Sequence, residues 1–119
     1  ILNFGHPVGH ALEAVSAYTL SHGETVAAGM VAAAMISQRL GYLNKTVCEE
    51  IVSLIRRYQL PVTISRDFDT EELLGFMSRD KKVAGQRLHW VLVKGIGTPL
   101  VTPDVPRDTA RQVLEALKR

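Results

Sequence analysis

Cysteine is almost missing from this sequence. Cys48 is the single one in 119 residues, which excludes an internal disulfide and a cysteine-rich zinc module. A long apolar run is missing too: the most hydrophobic stretch, Val26 to Ile36, falls far short of the roughly 18 to 20 residues that a membrane span needs. Nor is there an excess of either charge. Fourteen Lys and Arg against twelve Asp and Glu leave a net +2, which gives no reason to expect a nucleic-acid partner. Ile1 opens on a histidine-rich segment with no basic flank and apolar core of a signal peptide, so the expected compartment is the cytoplasm. No repeat, low-complexity tract or long linker interrupts the chain. Its length suits one domain and leaves no room for a cofactor domain plus a substrate domain. The start at Ile1, without a methionine, suggests a piece of a larger protein.

What is present reads as mostly helix. Ser21 and Glu24 form a Ser-x-x-Glu capping box, in which each side chain satisfies a free backbone donor of the other residue. A helix should start there and run to about Leu40, with Gly41 as its stop. Because the run from Val26 is apolar on every face and rich in Ala and Gly, it reads as a central buried helix. Asn44 or Thr46 can cap a second helix with Val47, Ile51, Leu54, Ile55 and Tyr58 as its apolar stripe. Pro61 follows as a breaker. Asp69 and Glu72 cap a helix that buries Leu73, Leu74 and Met77. Pro106 fits the first turn of a last helix, whose stripe is Ala110, Val113, Leu114 and Leu117. Only Leu88 to Val93, with Leu100 to Thr102 able to pair back, breaks the helical period and suggests a small hairpin.

Three of the four histidines, His6, His10 and His22, fall in the first 24 residues. Pro7 is acceptable only in a first helical turn, so the helix carrying His10 should begin near His6. His6 and His10 are four apart and share a helical face, a spacing that suits nitrogen ligands to zinc and equally suits two hydrogen-bonded histidines at a packing surface. His22 sits in the first turn of the capped helix, where the dipole favours the neutral imidazole a metal requires. Glu24 already has a role as cap partner, and Glu13 is read as solvated, so neither is assigned to a metal. Asn3 can cap the first helix or offer its amide to a ligand. The Arg79-Asp80-Lys81-Lys82 run is either a solvated face or a source of one lysine for a phosphate. Cys48 has no neighbouring base and reads as inert.

Taken in order, Asn3-Phe4-Gly5-His6 with Gly9-His10-Ala11-Leu12-Glu13, then Leu20-Ser21-His22-Gly23-Glu24 with Gly29-Met30, then Asp80-Lys81-Lys82, Val91-Leu92-Val93 and Gly95-Ile96-Gly97 resemble 3-dehydroquinate synthase. The resemblance spans nearly the whole chain, and its first two blocks are the specific ones. It implies a mainly α, bundle-like C-terminal domain over residues 1–119 with a small β hairpin, and an N-terminal NAD-binding α/β domain absent from this chain. The implied reaction turns 3-deoxy-D-arabino-heptulosonate 7-phosphate, a small phosphorylated keto acid, into 3-dehydroquinate and phosphate in the shikimate pathway. An alcohol is oxidised with bound NAD, phosphate is eliminated, the ketone is reduced again, and an aldol step closes the ring. Zinc or cobalt would lie between the two domains, held by His6, His22 and a Glu from outside this segment. His10 and Asn3 would be the catalytic pair on the phosphate side, joined by Lys82 or Lys81.

The same resemblance implies a homodimer for the full enzyme and no activity for this segment alone. Pro7-Val8 replaces the Thr and aliphatic residue more usual between the two histidines, which alters the first turn. Other sugar-phosphate cyclases, such as 2-deoxy-scyllo-inosose synthase, and metal-dependent glycerol dehydrogenases share the architecture and the paired histidines. A helical interaction domain with purely structural histidines is the alternative of a different class.

Overall fold

The helix from His22 to Arg39, α2, is the axis on which the rest is built. It was located in a computed structural model that describes residues 6–17, 19–83, 90–93, 99–102 and 105–119. Its start is fixed by the capping box: Glu24 N donates to Ser21 Oγ at 3.1 Å and Ser21 N donates to Glu24 Oε1 at 3.0 Å. Past its end Gly41 takes φ +85°, the left-handed backbone that glycine adopts without a Cβ penalty. Ala27, Ala28, Ala32, Ala33 and Ala34 are buried along it. Such small side chains leave room for neighbours on several sides at once. They are α1 (His6–Val15), α3 (Lys45–Arg57), α5 (Arg107–Leu117) and the strand β1 (Trp90–Val93). The two buried hydroxyls of α2 spend their hydrogens within the helix, Thr25 on His22 O and Ser37 on Ala33 O, so neither carries an unpaid desolvation cost.

The remaining helices each bury one stripe. Pro7 lies in the first turn of α1, where its missing N–H costs nothing, and Val8, Ala11 and Leu12 enter the core. α4 (Thr70–Val83) is capped by Asp69, whose Oδ1 accepts from Glu71 N and Glu72 N, and it buries Leu73, Leu74 and Met77. α5 buries Ala110, Val113, Leu114 and Leu117, all at most 3% exposed. Full burial of a leucine in such a stripe stabilises by about 1.5–3 kcal/mol. Pro106 stands just before α5 rather than inside its first turn, and supplies no side-chain cap. Beyond α5, the chain end is clamped: Ile64 N donates to Leu117 O and Arg119 N to Ile64 O. β1 pairs antiparallel with β2 (Pro99–Thr102), Trp90 opposite Thr102 and Val93 opposite Pro99. Residues 84–89 and 94–98, which include Leu88 and the glycines of the expected hairpin, lie outside the described residues.

One stripe differs from its sequence reading. α3 is capped by Asn44, whose Oδ1 accepts from Val47 N at 2.8 Å, but Leu54 is 53% exposed and Tyr58 74%. The inward face runs instead through Cys48, Ile51, Val52 and Ile55. That set is also a three-and-four spacing, turned by one residue, and Cys48 packs with Ala34 and Leu43 while Leu54 stays in solvent. The mainly helical reading holds, and among the described residues no helix is long and apolar enough to cross a membrane.

Candidate functional site

α1 carries His6, His10 and Glu13 at i, i+4 and i+7, which places the three positions within about 60° of one another around the helix. The axis of α1 is held unusually near that of α2. A Cβ built on Gly9 would stand 3.0 Å from the backbone oxygen of Thr25, so any larger residue meets main chain that cannot turn aside. This contact sits one helical turn past His22 and brings the histidine-bearing part of α1 to the start of α2.

At that crossing His22 Nδ1 lies 3.5 Å from Glu13 Oε2. The two groups are unequally covered: the His22 side chain is 79% exposed and that of Glu13 only 22%. Glu13 is therefore not the solvated side chain its sequence position suggests, and the imidazole is open on the side away from it. A carboxylate facing one ring nitrogen leaves the other as the donor toward an incoming electrophile.

His10 takes a different direction. It is half-buried, and its ring stands edge-on to Phe76 of α4, centroids 5.5 Å apart and planes at 89°. α4 then continues for about two more turns to Val83 and carries Lys81 and Lys82 near its end, with their backbone about 8 Å along the axis from Phe76. So α1 packs on both α2 and α4, with His10 against Phe76 midway along α4. Asn3 lies outside the described residues, as does the side-chain placement of His6, Lys81 and Lys82.

The other polar groups have separate duties. Ser21, through its N–H first and its hydroxyl second, holds the Glu24 carboxyl below the usual range, so Glu24 is ionised and committed to the cap. Burial, followed by the charge of Glu49, pushes the Cys48 thiol up, which keeps it protonated and unreactive at neutral pH. Among the described residues no group of three His, Cys, Asp or Glu could by itself hold a metal. Sequence reasoning missed Glu13, Gly9 and Phe76. The signal for Glu13 was its place three residues after His10 and seven after His6. For Gly9 it was a glycine in a helix interior, which costs about 0.5–1 kcal/mol relative to alanine unless a close approach requires it.

Comparison with known proteins bears on the whole chain. The 3-dehydroquinate synthase of Symbiobacterium thermophilum is 46% identical over 120 residues, covering 100% of this chain and 34% of that protein. That of Thermosynechococcus vestitus is 40% identical, covering 99% of this chain and 32% of that protein. The chain thus spans about a third of the length of these curated relatives. Among solved structures, 2-epi-5-epi-valiolone synthase from Streptomyces hygroscopicus subsp. jinggangensis 5008, with NAD+ and Zn2+ bound, superposes with a TM-score of 0.84 at 23% identity, over 96% of this chain and 31% of that one. A 2-deoxy-scyllo-inosose synthase complexed with carbaglucose-6-phosphate, NAD+ and Co2+ superposes at 0.78 and 24% identity, over 95% of this chain and 32% of that one. These two establish the fold. Residues 1–83, which contain every helix of the site, match the family described as 3-dehydroquinate synthase C-terminal, and on that match the chain belongs to this family.

Proposed function

We propose that this chain is the C-terminal domain of a 3-dehydroquinate synthase. In that reading the complete protein converts 3-deoxy-D-arabino-heptulosonate 7-phosphate to 3-dehydroquinate and phosphate, with NAD held mainly by an N-terminal domain. The observation that supports it is the meeting of the motif-bearing helices: α1, with His6 and His10, packs on α2, with His22, and on α4, with the lysine pair. The identity to curated synthases supports this substrate over those of the other cyclases.

The donor set suits a zinc or cobalt ion. His22 is an open imidazole backed by a carboxylate, His6 shares a helical face with that carboxylate, and histidine is a preferred ligand for either metal. A third protein ligand must come from outside this chain, which is why the segment alone should be inactive. When bound, the metal supplies a Lewis acid for the hydroxyl being oxidised, and NAD the acceptor for its hydride. His10, seated against Phe76 and so restricted in rotation, offers a ring nitrogen to the phosphate. Asn3 and Lys82 or Lys81 add an amide and a positive charge, fixing that phosphate for departure.

The test is phosphate release by the complete protein, supplied with NAD and zinc, from the seven-carbon keto-acid phosphate and from glucose 6-phosphate. Release from the first alone is expected. Release from glucose 6-phosphate alone assigns the chain to another cyclase, and turnover by the isolated 119-residue chain overturns the division of the site between two domains.

A further inference from the structure

Glu13 is a charged side chain kept mostly out of water on a helix whose adjoining residue, Leu12, is wholly buried. A carboxylate on an amphipathic helix ordinarily takes the solvent side, because losing hydration without a partner is costly. Here the partner is the His22 ring, whose Nδ1 stands 3.5 Å from Glu13 Oε2. The ring's 79% exposure means that the carboxylate takes one edge and leaves the other open.

A neutral imidazole has a lone pair on only one of its two nitrogens. A carboxylate beside Nδ1 draws the ring hydrogen to that nitrogen and leaves the lone pair on Nε2. We propose that Glu13 is a positioning residue: it selects the Nδ1–H tautomer of His22 and fixes the ring so that Nε2 is presented to the metal. This rests on the reading of His22 as a metal ligand. The device is economical, since α1 carries Glu13 and, two turns earlier on the same face, His6. The Gly9–Thr25 contact holds that helix against the one bearing His22, so a single rigid crossing determines both histidine positions.

The proposal is tested in the complete protein by zinc affinity, measured by competition with a chromophoric chelator. The variants are Glu13→Gln, Glu13→Ala and His22→Ala. Glutamine keeps an oxygen that accepts from Nδ1–H, whereas alanine keeps nothing. Glu13→Ala should bind zinc roughly 10- to 100-fold more weakly, and Glu13→Gln should lose clearly less. A second readout needs no metal. Nitrogen-15 NMR of the metal-free protein should show His22 as the Nδ1–H tautomer in wild type and Glu13→Gln, and a shift toward Nε2–H in Glu13→Ala. Unchanged affinity and tautomer in Glu13→Ala overturn the proposal. So does a Glu13→Gln loss equal to that of alanine, because the carboxylate would then act as a charge or a ligand in its own right. His22→Ala separates the two levels: if it binds zinc normally, the ligand reading itself fails. If it loses zinc while Glu13→Ala does not, only the role of Glu13 fails.

Discussion

Two helix pairs, α1–α2 and α4–α5, are joined by different kinds of contact. At the α1–α2 crossing the determining feature is an absence of atoms: Gly9 leaves just enough space for the Thr25 carbonyl. At the α4–α5 contact, Glu71 accepts from Arg111 Nε at 2.8 Å, Arg107 Nη2 lies 3.6 Å from Glu71, and Arg111 also reaches Asp108. Thr70 donates to Glu115, which also pairs with Lys118. Apart from Thr70 and Lys118, which are largely covered, these groups are exposed or half-exposed, and the long arginines and glutamates can re-form in several geometries. The α1–α2 pair, which carries the histidines, thus meets backbone at Gly9, whereas the polar contacts of the α4–α5 pair are made by side chains that can yield. On the proposed reading of His6 and His22 as ligands, the contact with the least freedom lies where positions would have to be held most closely.

The sharpest way to break this comparison is to put the same methyl group into both pairs. Gly9→Ala drives a Cβ to 3.0 Å from main chain in Thr25, and overpacking of that kind costs about 1–3 kcal/mol, only partly offset by the better helix propensity of alanine. Chemical denaturation should show a net loss, and zinc affinity of the complete protein should fall with it because the two histidine helices separate. If Gly9→Ala binds zinc as wild type does, the crossing does not set the ligand positions. Ser21→Ala comes next, since it removes the hydroxyl of the capping box at the first turn that bears His22; a cap of this kind contributes about 1 kcal/mol. Gly75→Ala in α4 should go the other way. Its Cβ meets Arg79 Nη1 at 3.3 Å, the end of a flexible side chain, so the variant should gain up to about 1 kcal/mol. A loss there as large as at Gly9 would mean that the added methyl itself, and not the Thr25 main chain, sets the cost.

The same distinction explains what is legible in the sequence. Caps are local, and Ser21 with Glu24, Asn44 and Asp69 were legible because donor and acceptor lie within three residues. The stripes of α4 and α5 were legible because periodicity alone selects one face. On α3 two overlapping stripes share Ile51 and Ile55, and Cys48 joins them against Ala34 and Leu43, from elsewhere in the chain, while Leu54 stays exposed. The site divides along the same line. His6, His10, His22 and the lysines stood out as residue types in a pattern. That Glu13 faces His22, and that His10 turns to Phe76, depends on the angle at which helices cross, and no spacing within one helix encodes it.

The smallest effects concern the charges, and they sharpen the comparison through salt and acid. Arg111, with Arg107, holds the Glu71 carboxyl below the usual range, while the N–H of Ser21 does so for Glu24. A depressed carboxyl binds its proton more weakly in the folded protein than in the unfolded chain. Its contribution is therefore present above the unfolded value of about 4.3 and is lost as pH falls through the lower folded value. Both should appear as a slight fall of Tm on acidification below about pH 4.3. They differ in mechanism, because ion pairs between exposed groups are screened by salt, whereas the cap is a hydrogen bond to a fixed backbone donor. Glu71→Gln should flatten the acid limb at low salt and change nothing at high salt. Glu24→Gln should flatten it at both, since glutamine still accepts from Ser21 N–H but does not titrate. Equal salt sensitivity in the two variants would mean that the helix start beside His22 is held by the same yielding electrostatics as the α4–α5 pair, and that backbone contact is not what distinguishes the site.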